Sequence, residues 1–122
     1  MNHVQAQQIT VGVDADLIML RQMLRQSARV LNLSPAQQAR ITAAVSEVVR
    51  ALIHQFSTST VTIHCEDRPD HHDLVIECDT AHDAYQRVAR QSEVQTAYML
   101  LDEVEVELSP PECHLTMRVH LK

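Results

Sequence analysis

The chain has one glycine, no tryptophan, one phenylalanine and two tyrosines. The single glycine, Gly12, leaves no place for a glycine-rich loop of the kind whose backbone N–H groups close around phosphates. With so few aromatics, the interior must be built from Leu, Val, Ile, Ala and Met. No apolar run approaches the length of about 18 residues that spans a bilayer, and the opening MNHVQAQQ lacks the charged-then-apolar order of a signal peptide. A cytoplasmic location and no membrane partner are expected. Basic residues are outnumbered, with 10 Lys and Arg against 16 Asp and Glu for a net charge of −6, and they are not interleaved with aromatics. That balance disfavours a nucleic-acid partner. Cys65, Cys78 and Cys113 are odd in number and widely spaced, each within a strand-like run, so they read as reduced buried thiols and not as a disulfide framework. The length of 122 residues fits one domain, spanning 1–122, with no repeat, low-complexity segment or linker to divide it.

Within those limits the hydrophobic pattern is clear. Residues 4–13 carry Ile9, Val11 and Val13 in strand alternation up to Asp14, a good helix N-cap. Leu17, Leu20, Leu24, Ala28 and Leu31 then recur at helical spacing, with Asn32 as the stop. Ser34 and Pro35 open a second helix, with Gln37 at the capping-box position, that runs to about Phe56. Its buried stripe is Ile41, Ala44, Val45, Val48, Leu52 and Phe56. VTIHCED (61–67) and DLVIECD (73–79) alternate as two strands of a hairpin turned by RPDHH, whose His71-His72 should be exposed to solvent.

Residues 83–101 are helical in composition, with a break possible near Ser92. EVEVEL (103–108), a turn at SPPE and CHLTMRVHL (113–121) form a final hairpin, with Val104, Val106, Leu108, Leu115, Met117, Val119 and Leu121 facing one way. A turn centred near residue 111 would place Glu105 opposite Arg118 and Glu103 opposite His120. Strand, helix, helix, hairpin, helix, hairpin predicts an α/β (α+β) two-layer sandwich, a mostly antiparallel sheet with its helices on one face.

The stretch 17–56 contains Arg21-Gln22, Leu31-Asn32-Leu33-Ser34, Gln38-Ala39-Arg40-Ile41 and Ala44-Val45-Ser46-Glu47-Val48-Val49-Arg50-Ala51. In that order these resemble the first two helices of the anti-sigma serine kinases, the RsbT- and RsbW-type members of the GHKL ATPase superfamily. MLLDEVEVEL (99–108) and Thr116-Met117 resemble that family's last hairpin, so the likeness spans nearly the whole chain. It implies a Bergerat-type ATPase fold in which a Glu on the second helix is the general base and an Asn four residues later holds Mg²⁺. Glu47 matches the base, whereas Ala51 replaces the Asn, and a methyl group cannot ligate a hard cation. In the family's Asp-x-Gly-x-Gly motif the Asp recognises adenine. Here Asp79 is kept and both glycines are gone, in Asp79-Thr80-Ala81-His82-Asp83. The phosphate-wrapping Gly-Leu-Gly-Leu segment corresponds to Ser92-Glu93-Val94-Gln95-Thr96-Ala97, which has no glycine and brings the carboxylate Glu93 instead.

The resemblance therefore implies a degenerate member: a pseudokinase that binds proteins, with no cofactor expected and with STAS-domain antagonists or sigma factors as the implied partners. Two-fold dimerisation is a further expectation from the family, and Met19, Met23 and Met99 would supply adaptable apolar surface if they were not buried, as most should be. The alternative is a divergent serine/threonine kinase using ATP and Mg²⁺, with Glu47 as base, Asp79 on adenine and His54 or Asp83 as replacement metal ligand. A third reading, metal binding, draws on the eight histidines and the pairs His64-Cys65, His71-His72 and Cys113-His114. None of these has Cys-x-x-Cys or helical His-x-x-x-His spacing, and neighbours in a strand point to opposite faces, so no metal ligands are assigned.

Overall fold

Five strands and four helices follow one another along the described residues, 5–121, of a computed structural model. They are β1 (Gln7–Val11), α1 (Asp14–Val30), α2 (Pro35–Ile53), β2 (Ser59–Asp67), β3 (His72–Ala81), α3 (His82–Val88), α4 (Ser92–Met99), β4 (Glu103–Ser109) and β5 (Glu112–Leu121). The strands form one antiparallel sheet in the order β1-β2-β3-β5-β4. This is an α+β architecture. No helix among the described residues is long and apolar enough to cross a membrane.

The core is aliphatic, as the composition requires. Leu17, Leu20 and Leu24 of α1 and Ile41, Val45, Val48 and Leu52 of α2 close over Val61, Ile63, Leu74, Ile76, Leu115 and Met117 of the sheet. Burying each such side chain contributes about 1.5–3 kcal/mol. Of the three aromatic residues, Tyr85 and Tyr98 tie α3 to α4 through their hydroxyls at 3.0 Å, and Phe56 stands outside the core altogether. Cys78 and Cys113 are buried, and burial pushes the Cys78 thiol up to about 12; Cys65 is only half-buried, in place of the full burial expected.

Several boundaries follow local chemistry. The first strand, predicted over 4–13 with Val4 outside the described residues, spans Gln7–Val11, so Val13 is not in it. Val13 is instead the cap of α1, one residue before the expected Asp14, because the Asp16 carboxylate reaches back to the N–H groups of Gly12 (2.9 Å) and Val13 (3.2 Å). Gly12 passes close to Thr58, whose Cγ2 would lie 3.3 Å from any added Cβ. Asn32 ends α1 in the left-handed region (φ 58°), which Asn tolerates well. The Ser34 capping box forms as predicted, with Ser34 Oγ accepting from Gln37 N and Gln37 Oε1 from Ser34 N.

Elsewhere the structure departs from expectation. α2 stops at Ile53, and the chain turns at Phe56 with φ 57°, which throws the ring out of the predicted stripe into solvent. The break that the sequence allowed near Ser92 is present, and 83–101 is two helices, recapped at Gln91. Met23 packs on the core, but Met19 and Met99 are exposed, Met99 to 83%. In the last hairpin Pro110 and Pro111 alone make the turn, so the register slides: Glu103 lies opposite Arg118, and Glu105 opposite Thr116. Val106 and Leu108 face the predicted way, yet they lie on the edge strand beyond the helices' cover and stay exposed.

Candidate functional site

Glu47, Arg50 and Ala51 of α2 and His54, its C-cap, fall at helical spacing and share a face. With Gln91 and Glu93 at the start of α4 they line a shallow depression. Glu47 Oε1 lies 3.6 Å from Arg50 Nη1. His54 Nε2 lies 2.8 Å from Asp14 Oδ1, which brings the start of α1 against the end of α2. Glu47, Ala51, His54 and Glu93 are thus brought together. The wall offers two carboxylates, a guanidinium, an imidazole, two side-chain amides and a methyl group, and no glycine backbone.

Asp79 is not brought to that place. It pairs across the sheet with Thr60 and His114, on the polar face away from the core, and its Oδ1 lies 2.6 Å from His114 Nδ1. It borders a different depression, with Ser57, Thr58, Pro111 and Glu112. Asp83, the proposed replacement ligand, is exposed at the start of α3 beside His82 and does not line the α2–α4 depression.

The polar face of the sheet holds what sequence reasoning missed. Antiparallel register gathers His64 and Glu66 from β2, Asp73, Glu77 and Asp79 from β3, and His114, Arg118 and His120 from β5. Glu77 accepts from His64 Nε2 (2.8 Å) and His114 Nε2 (3.0 Å). Burial alone would raise the Glu77 carboxyl, but these two bonds outweigh it and hold it below its usual range. His114, held by Asp79 and by Glu77, is raised.

At the other end of this face Asp73 is completely buried. Its Oδ1 meets His120 Nδ1 at 2.7 Å and His71 Nε2 at 3.1 Å, and its Oδ2 meets Arg68 Nε at 3.2 Å and Arg118 Nη1 at 3.3 Å. Burial pushes this carboxyl up, and His120, His71 and Arg68 together bring it down further. His71 is therefore not the solvent-exposed turn residue expected: its ring packs edge-on to His120, with centroids 4.7 Å apart. The signal in the sequence was the alternation of titratable residues on the wet side of β2, β3 and β5, which needs the register before it becomes a cluster.

Neither a protein-family model nor a curated protein matches the chain.

Proposed function

We propose that this chain is a non-catalytic regulatory module with a GHKL-like two-layer architecture that acts by binding another protein. The resemblance of its helical segment to the anti-sigma serine kinases suggests the partner class, a STAS-domain antagonist or a sigma factor, and a role in sigma-factor or stress signalling. The observation that carries the reading is Phe56. The only phenylalanine in the chain is fully exposed and sits at φ 57°, a left-handed backbone that a bulky residue adopts at a cost of about 1–2 kcal/mol. Strain and solvent exposure in one aromatic residue are typical of a contact surface. Exposed Val13 and Ile18 belong to the start of α1, which the Asp14–His54 pair holds against the end of α2 where Phe56 emerges.

The α2–α4 depression supports the non-catalytic half of the reading. The Ala51 side chain offers no oxygen to Mg²⁺, the Arg50 guanidinium is turned to Glu47, Glu93 would repel a triphosphate, and Asp79 is engaged by His114 on another face. Losing those groups together removes the electrostatic positioning on which phosphoryl transfer depends.

The test is calorimetric titration of the chain with a STAS-domain protein and with a sigma factor, alongside thermal unfolding with and without Mg-ATP. Binding to either protein that is weakened in Phe56→Gly, with no shift by Mg-ATP, supports the proposal. A Mg-dependent rise in the unfolding midpoint would overturn it, as would protein binding indifferent to Phe56. A ligand at about 100 times its Kd stabilises a fold by about 2.7 kcal/mol, which is readily seen.

A further inference from the structure

We propose that His71, Asp73 and His120 form a binding site for a single borderline transition-metal cation of the Zn²⁺ type. The three ligand atoms, two imidazole nitrogens and a carboxylate oxygen, all lie within 4.8 Å of one another. Both nitrogens approach the same oxygen, Asp73 Oδ1, at 3.1 Å from His71 Nε2 and 2.7 Å from His120 Nδ1. A tetrahedral zinc centre with bonds of about 2.0–2.1 Å holds its ligand atoms roughly 3.3 Å apart. Small side-chain adjustments therefore admit the ion.

The state of His71 points the same way. Its Nδ1 lies 2.7 Å from Asp70 Oδ1, the partner that places the ring proton on Nδ1. Nε2 is the ring nitrogen turned toward the cluster. It is buried without a hydrogen-bond partner, although it faces the Asp73 oxygen. The position between these two atoms is open to a ring proton or to a cation that both would ligate. Carboxylate, histidine and metal in series is the usual outer support of a zinc-bound histidine, and Asp70 supplies it here.

The surroundings separate the two oxygens of Asp73. Arg68 and Arg118 occupy Oδ2 and leave Oδ1 to the imidazoles. Their positive charge is offset nearby, since Glu66 lies against both guanidiniums and Glu103 approaches Arg118. The scaffold is rigid where it must be: Asp73 and His120 are direct partners across β3 and β5, and the His120 N–H is clipped to Asp102 Oδ2 at 2.7 Å. Two imidazoles and one carboxylate suit Zn²⁺ and disfavour Mg²⁺ and Ca²⁺, which require oxygen shells. Three protein ligands leave a fourth position for water.

The test is titration of the full chain with zinc chloride by calorimetry near neutral pH, with Co²⁺ absorption as a second probe. One equivalent of zinc should bind, weakened about tenfold or more by His71→Gln, by His120→Gln and by Asp70→Asn, and unaffected by His64→Gln or His114→Gln. No zinc binding, or binding retained in the His71→Gln/His120→Gln double variant, would overturn the site. Should the variants fail to fold, ring-nitrogen NMR of the unaltered protein decides: zinc-induced shifts at His71 and His120 support the site, and shifts confined to other histidines refute it.

Discussion

His120 Nδ1 lies 2.7 Å from Asp73 Oδ1, so the next-to-last residue of β5 meets the second residue of β3 over a carboxylate that solvent does not reach. A buried charge survives only when paired and hydrogen-bonded. Asp73 is paired on all sides.

Asp73→Ala should therefore be among the most damaging single changes in the chain. It removes the common partner of Arg68, Arg118, His71 and His120 and leaves the largely buried Arg118 short of its counter-charge. The expected loss is about 3–5 kcal/mol. Urea unfolding followed by circular dichroism measures it, and a loss under about 1 kcal/mol would show the cluster to be structurally idle.

Stability should fall on the alkaline side through His114 on the polar face. The hydrogen bond to Asp79 raises the His114 pKa above 6.5, with Glu77 adding to it against burial. A raised pKa means that the stabilisation is complete below 6.5, the ordinary value, and is lost as pH rises through the folded value. Glu77 has the opposite sign: its carboxyl is held below 4.5, so its contribution is present above that value and fades as pH falls. Urea midpoints across the pH range should show a decline above neutrality that is shallower in His114→Gln. Equal slopes in the two proteins would contradict this assignment.

Phe56→Gly should stabilise the fold. The ring is fully exposed and buries nothing, while glycine accepts φ 57° without penalty. After the greater freedom of glycine in the unfolded chain is counted, a gain of about 0.5–1 kcal/mol is expected, visible as a rise of a few degrees in Tm. A fall in Tm would mean that the ring packs on the protein.

Ala51→Asn should not create nucleotide binding. The new amide would stand in the α2–α4 depression, but it would face Glu47 and Glu93 with no glycine backbone to enclose phosphates. Differential scanning fluorimetry with millimolar Mg-ATP should give the same midpoint for variant and parent. A rise in the variant alone would reveal a pocket lacking only its metal anchor.

Much of the fold was legible because its signals are local. The Ser34–Gln37 capping box, the Asn32 stop and the alternation of Val61, Ile63, Leu74 and Ile76 each depend on neighbours a few residues away, and each is found as predicted. The failures cluster where distant segments decide. The last hairpin slid its register because the turn contracted to Pro110-Pro111, and Phe56 left the helical stripe because α2 ended early. Asp79 was singled out by likeness to a motif, and only the strand register shows that its neighbour is His114.

Sequence alone determined the aliphatic core, the element order and the absence of any glycine-rich phosphate cradle, since composition and periodicity act within one segment of chain. Only the tertiary structure decided that His71, Asp73 and His120 meet, with Arg68 and Arg118 on the far oxygen. Alternation says which side of a strand a residue faces, but pairing between strands 47 residues apart says what lies opposite it. A buried charge cluster is a property of that pairing.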